Sequence, residues 1–204
     1  KLKSEKIAVI SGPSFAVDIV TMCPIGLSLA VTDTETENVI KESLENDSLK
    51  LRTTSDIVGV EICGSIKNII AIEAGMLSGL DYPESTQAMF LTESLNDIKE
   101  LIAALGGDKN TILSFAGFGD LVLTATCEKS RNFSYGKLIG LKKELEEINN
   151  YTNNTTIEGL YTLDSIYTLL KNRKVDIPII DLIYDIIYKN EDPEELASFL
   201  IKKR

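Results

Sequence analysis

Apolar and polar positions change rhythm once along the chain, near residue 55. Before that point short apolar runs alternate with polar ones. IAVIS (7–11), IGLSLAVT (25–32) and LKLRTT (49–54) read as strands, and 14–22 and 34–46 read as the helices between them, a βαβ rhythm. Cap signals accompany the helices: Ser14 after Pro13, Asp33 ahead of an acidic first turn, and Ser55 or Asp56 before a long apolar helix over 56–80. Beyond residue 56 the strand signal is lost. Helical patterns follow at 84–106, 118–128, 131–145, 157–172, 178–189 and 193–202, with Pro178 and Pro193 in first turns, where proline is tolerated. NNYTNNTT (149–156) reads as a polar loop. The chain is expected to divide into 1–55, a strand-bearing remnant of an α/β domain, and 56–204, an all-helical domain, so that the fold is mainly α. Three strands cannot cover a parallel sheet on both faces, and no GxGxxG is present. With KLKSEK opening the chain, the sequence reads as starting inside a longer protein.

One residue interrupts the long apolar helix. Lys67 has Cys63, Gly64, Ile70 and Ala71 as its neighbours one turn away, an apolar and small-residue face. Burial there would favour the neutral amine and make Lys67 a candidate acid or base. The alternatives are a lysine that snorkels to the surface and one held in a structural ion pair.

Composition narrows the chemistry. The 204 residues are 44% hydrophobic and 25% charged, ordinary for a globular domain. The net charge of −10 argues against nucleic acid and anionic membrane surfaces as partners. No apolar run is long enough for membrane insertion. Histidine is absent, which removes Ser-His-Asp and Cys-His catalysis and nearly all zinc sites, so no metal is expected. Proton handling then falls to lysine, carboxylate, tyrosine or cysteine. Cys23, Cys63 and Cys127 are odd in number and far apart, which reads as reduced thiols in a cytoplasmic protein, used as small buried hydrophobes. With four arginines in the chain (52, 131, 173 and 204), few positions can grip a phosphate with two parallel bonds.

Three short segments concentrate polar chemistry. Ser11-Gly12-Pro13-Ser14-Phe15-Ala16 places a glycine turn between strand and helix, where backbone amides can meet an anion or simply make the turn. Ala116-Gly117-Phe118-Gly119-Asp120 puts two glycines before an aspartate that opens a helix, with Thr124 one turn on; a first-turn charge is the plain alternative. Ser130-Arg131-Asn132 joins a hydroxyl, a guanidinium and an amide at a helix start, a combination suited to phosphate. Singly each has a structural explanation; together with Lys67-Asn68 they form a more specific constellation.

SGPSFA (11–16), GVEICGSIKNIIAIEAGMLSGL (59–80), AGFGDLVLTATCEKSRNFSYGKLIG (116–140) and IEG (157–159) resemble, in order and spacing, the C-terminal portion of the bacterial-type NAD(P)-dependent glycerol-3-phosphate dehydrogenases. Departures are small: Phe118 stands where the family usually has leucine, and the loop 149–154 is idiosyncratic. The family's N-terminal glycine-rich motif is not among these residues. The resemblance implies a helical domain like the C-terminal domain of 6-phosphogluconate dehydrogenase, preceded by the last β/α elements of a Rossmann domain.

It further implies reduction of dihydroxyacetone phosphate to sn-glycerol 3-phosphate with NAD(P)H. Lys67 would give the proton; Asn68, Asp120 and Thr124 would orient the substrate and Lys67; Ser130, Arg131 and Asn132 would bind the phosphate side. Gly12, Ser14, Ala16, Arg131 and Glu158 would contact the cofactor. By the same resemblance the small-molecule substrate is the expected partner, and a homodimer is an expectation from the apolar helical surface. The competing readings are a related dehydrogenase of another hydroxy acid or ketone, and a helical interaction module without catalysis. A fragment without its glycine-rich half is expected not to turn over alone.

Overall fold

Leu27, Leu29, Ala30 and Val31 are all buried in one strand, and that strand organises the first part of the chain. A computed structural model describes residues 6–203. It shows β1 (Ala8–Ser11), α1 (Ala16–Val20), β2 (Ile25–Val31), α2 (Thr34–Leu44) and β3 (Leu49–Thr54) in sequence, then a helical region. The helices are α3 (Ile57–Gly79), α4 (Glu84–Ala104), α5 (Asp120–Thr126), α6 (Arg131–Gly140), α7 (Leu145–Asn154), α8 (Glu158–Arg173), α9 (Pro178–Lys189) and α10 (Glu195–Lys202). Between α4 and α5 lie a 3-10 turn (Lys109–Leu113) and a π-helical turn (Phe115–Gly119), which the sequence pattern did not distinguish from helix or loop.

The chain forms two compact units. One gathers the described residues up to Gly64 with 98–123; the other gathers 65–97 with the described residues from Thr124 onward. Helices α3, α4 and α5 contribute to both. The β3–α3 junction lies between Thr54 and Ile57, and the compact units divide the chain elsewhere, the first taking in 57–64 and 98–123.

In the strand unit the sheet order is β1-β2-β3. β2 and β3 pair in parallel, joined through α2, as a βαβ rhythm requires. β1 pairs with β2 antiparallel, with Ala8 opposite Val31 and Ser11 opposite Ser28, which departs from the all-parallel expectation. The physical reason is local: α1 is a five-residue helix that buries none of its residues, so it does not pack on the sheet as a crossover helix would. Leu27, Leu29, Val31 and Leu51 form the core under α2, with Ile25, Ile40 and Leu49 against them. Asp33 caps α2 by accepting from the Thr36 amide at 2.8 Å, as expected. Ser14 does not cap α1: Phe15 occupies that position, without a side-chain bond.

Asp56 ties this unit together. Its Oδ1 accepts from the Gly59 amide (2.9 Å) and caps α3; its Oδ2 accepts from the Asp108 amide (2.9 Å) and the Thr111 hydroxyl (2.6 Å). The 3-10 turn is thereby fixed to the start of α3. Ser28, buried in β2, accepts from the Ala116 amide at 3.1 Å and holds the π-helical turn in the same unit.

The helical unit is built on α3 from Ser65 onward, where Ile66, Ile69, Ile70, Ala71, Ile72, Met76 and Leu77 are buried. Its neighbour α6 approaches until the two backbones touch. A Cβ placed on Gly136 would lie 1.8 Å from the Ile72 carbonyl oxygen, and one on Gly140 2.1 Å from that of Met76. From the other side, Gly75 faces the Phe133 carbonyl and Gly79 that of Lys137 at similar range. No side chain fits such a seam.

Residues 145–154 form α7, so the expected Asn-rich loop is helix over most of its length. Ile148 and Tyr151 lie at helical spacing and are part-buried, while Leu145 is exposed and no residue of α7 is fully buried. Tyr167 and Tyr184 stack at 3.8 Å between α8 and α9. Pro178 opens α9 as expected, while Pro193 lies just ahead of α10. Among the described residues no helix is long and apolar enough to cross a membrane.

Candidate functional site

In the strand unit, β1 ends at Ser11 and the turn Gly12-Pro13-Ser14 leads into α1, which Ala16 begins. Gly12 is required for packing: a Cβ there would lie 3.0 Å from Leu27 Cδ2 and 3.1 Å from the Gly26 carbonyl oxygen. Ser14 Oγ donates to the Gly12 carbonyl at 3.4 Å. The helix expected over 14–22 spans only Ala16–Val20, too short to present a substantial dipole. Asp120 begins α5 and is 3% exposed, and Ser11 Oγ donates to its Oδ2 at 3.4 Å. That contact links two sequence motifs 109 residues apart. Ser11 was not among the expected site residues, although it opens the SGPSFA motif.

Cys63 is buried in this unit. Burial, reinforced by the charges of Asp56 and Asp120, pushes its thiol up to about 12, so it is a poor nucleophile at neutral pH. Cys23 is exposed and Cys127 partly exposed, so only Cys63 fits the expectation of a small buried hydrophobe. Cys23 falls outside the core because it follows α1, which lies on the surface.

In the helical unit, Lys67 and Asn68 sit side by side on α3, both half-buried. The apolar face read from the sequence does not enclose Lys67 fully. Ser130 is the N-cap of α6; its Oγ accepts from the Phe133 amide at 3.3 Å. Arg131 is the first residue of α6, exposed, and ion-paired with Glu158 at the start of α8. Both partners are about half exposed (53% and 42%), so the pair is of the weak surface kind, and an incoming dianion can displace the carboxylate.

Asn132 is 4% exposed and bonded across three helices: its Nδ2 donates to Asn68 Oδ1 at 3.0 Å and its Oδ1 accepts from the Gly159 amide at 2.9 Å. Thr124 lies on α5, partly buried. The helical unit thus gathers Asn68, Asn132 and Gly159 in one chain of hydrogen bonds, with Lys67, Arg131 and Glu158 each next in sequence to one of its members. Sequence reasoning missed Gly159 and Tyr151, whose hydroxyl donates to the Arg131 carbonyl at 3.3 Å. The IEG motif pointed at Gly159; nothing in the Asn-rich run pointed at Tyr151. No cluster of three or more metal-ligating side chains occurs among the described residues.

The residues 56–198 match the family model described as NAD-dependent glycerol-3-phosphate dehydrogenase C-terminus. The glycerol-3-phosphate dehydrogenase [NAD(P)+] of Staphylococcus carnosus is 35% identical over 195 residues, 96% of this chain and 58% of that protein. That of Staphylococcus haemolyticus is 36% identical over the same lengths. The crystal structure of glycerol-3-phosphate dehydrogenase from Coxiella burnetii superposes with a TM-score of 0.91 at 32% identity, covering 97% of this chain and 61% of that one. The Plasmodium falciparum enzyme, at 22% identity and a TM-score of 0.84, shares the fold. The chain spans less than two thirds of the length of these relatives. From residue 56 it carries their helical C-terminal domain, after a short strand-bearing part, and it belongs to the NAD-dependent glycerol-3-phosphate dehydrogenase family.

Proposed function

We propose that the full-length protein containing this chain reduces dihydroxyacetone phosphate to sn-glycerol 3-phosphate with NAD(P)H, and that residues 1–55 end its Rossmann domain while 56–204 form its substrate-binding domain. The observation that carries this reading is the hydrogen-bond chain Asn68–Asn132–Gly159, which holds the residue beside Lys67 and the residue beside Arg131 in one buried array. A proton-handling amine and a phosphate-binding guanidinium are the two groups the reaction needs from the protein.

When bound, the reduced nicotinamide supplies the hydride that the carbonyl carbon accepts. Lys67 gives the proton from its ammonium to the carbonyl oxygen, which becomes the hydroxyl of the product, and takes a proton back from solvent. Asn68 and Thr124 orient the reacting oxygens and Lys67. Ser130, Arg131 and Asn132 hold the phosphate end at the N-terminus of α6, where the guanidinium exchanges Glu158 for the substrate dianion.

For the cofactor this chain offers Gly12, Ser14 and Ala16 in the strand unit, and Arg131 and Glu158 in the helical unit. The space beside Gly12 is filled by Leu27, so that glycine serves the sheet, and the fit to a dinucleotide rests on the polar groups of Ser14, Arg131 and Glu158. The net charge of −10 disfavours nucleic acid as a partner; the odd, scattered cysteines are the ground for a cytoplasmic location, the apolar helical surface for a homodimer, and the family resemblance for a place in phospholipid synthesis.

The test is the kinetics of Lys67→Ala in the full-length protein. kcat is expected to fall roughly 10²- to 10⁴-fold with a much smaller change in KM, and Lys67→Arg is expected not to restore it, because guanidinium keeps its proton. A loss of about tenfold or less would remove Lys67 from the proton step.

A further inference from the structure

We infer that Gly159 is a positioning residue: its main-chain N–H sets which way the Asn132 amide faces, and thereby makes Asn68 present a donor, not an acceptor, to the substrate. This rests on the proposed role of Asn68 at the reacting oxygens. An asparagine side chain has a donor end and an acceptor end of nearly equal shape, so its orientation must be imposed by partners of fixed polarity. A backbone N–H can only donate. Gly159 N is 2.9 Å from Asn132, and it therefore requires the oxygen of that amide. The Asn132 NH2 is then turned to Asn68, 3.0 Å away, and requires the oxygen of that side chain in turn. Two steps from a backbone atom, Asn68 is left with its NH2 as the end not committed to Asn132. An N–H at that place matches a carbonyl or hydroxyl oxygen.

The geometry allows no other residue at 159. A Cβ would lie 2.6 Å from Ile72 Cδ1, 2.8 Å from the Asn68 carbonyl oxygen and 2.9 Å from Asn132 Oδ1. Two of these three atoms belong to the asparagines being oriented. Asn132 is buried, so water cannot readily replace the Gly159 bond.

The experiment is a double-mutant cycle in the full-length protein with Gly159→Ala and Asn68→Ala, read as kcat and KM alongside Tm. Gly159→Ala is expected to lower kcat roughly 10- to 100-fold, the scale of one misplaced transition-state donor, and to have little further effect on kcat in the Asn68→Ala background. The Tm loss should be the same in both backgrounds, since the Asn68 carbonyl and Ile72 remain. An equal kcat loss in both backgrounds would overturn the inference and leave Gly159 a packing residue.

A second arm does not need turnover and also serves if Gly159→Ala fails to fold. In Asn132→Ala, the Gly159 amide should lose its protection from hydrogen exchange, and the Asn68 side-chain NH2 resonances should shift. Unchanged protection and unchanged resonances would overturn the relay. A wild-type protein with no turnover of dihydroxyacetone phosphate would defeat the proposed reaction, and the exchange result would still decide the relay.

Discussion

The strand unit and the helical unit are held by opposite means. In the strand unit a few side chains do the fastening: Asp56 accepts three hydrogen bonds, and Ser28 holds a turn that has no place in a regular sheet. In the helical unit α3 and α6 are brought together by what is missing, glycines at 75, 79, 136 and 140 that let main chain rest on main chain. Irregular backbone needs polar partners supplied to it, because its own N–H and C=O groups find none in a ladder. Regular helices satisfy themselves and need only room. Glu73 on α3 runs against this division. It is a wholly buried carboxyl, and neither oxygen has a hydrogen-bond partner among the described residues.

The largest expected effect is at the seam. Gly136→Ala puts a methyl group where the Ile72 carbonyl oxygen lies, an atom that cannot rotate away. It should cost at least about 3 kcal/mol, the upper end for overpacking, seen as a drop in Tm. If hydrogen exchange slows or stays unchanged in α3 and α6, the seam is not what holds them.

Asp56→Ala should cost less, about 2–3 kcal/mol, as three donors lose a charged acceptor but one of them, the Asp108 amide, lies near solvent. Faster exchange should be confined to the first turn of α3 and residues 108–111. Loosening that spread evenly through the helical unit would break the contrast between the units.

Glu73 gives the smallest and most specific effect. Burial holds its carboxyl well above the usual range; Asp97 adds to the shift and Lys203 opposes it. The charges that act on it are Asp97 on α4 and Lys203 beyond α10, which bonds Asp97 at 2.7 Å and pairs with Glu93 at 3.4 Å. The folded state therefore keeps a proton that the unfolded chain releases above its ordinary value of 4.5. Stability is greatest below that pH and falls as pH rises toward the folded-state value. Asp97, also raised by burial, acts in the same direction. Glu73→Gln should flatten the decline in denaturant midpoint between acid and neutral pH, and a decline of unchanged slope would show that Glu73 is not its source.

The order of elements was legible because each rested on a repeating pattern. β2, α3 and α9 carry long runs of one periodicity, and they fall within a residue or two of where the sequence put them. What was not legible depended on partners distant in sequence. α1 reads like a crossover helix, yet whether it packs on the sheet is decided by the sheet. α7 buries none of its residues; Ile148 and Tyr151 are part-buried at helical spacing, a signal that the neighbouring asparagines and threonines mask. At the candidate site, residue types such as Lys67, Arg131 and Asn132 stood out for their chemistry. The link from Asn132 to Gly159 could not, since glycine offers only a main-chain N–H whose use depends on folding.

The contacts between α3 and α6 share one phase. Asn68 meets Asn132, Ile72 meets Gly136 and Met76 meets Gly140, so each step of four on one helix is matched by a step of four on the other. Adding or deleting one residue in 68–76 or in 132–140 turns everything beyond it by about 100° and parts the asparagines from the seam in one stroke. The long connection from Leu80 to Lys129 carries no such count with respect to these two helices. Changes of length should therefore be excluded from the two nine-residue stretches, which vary by substitution alone.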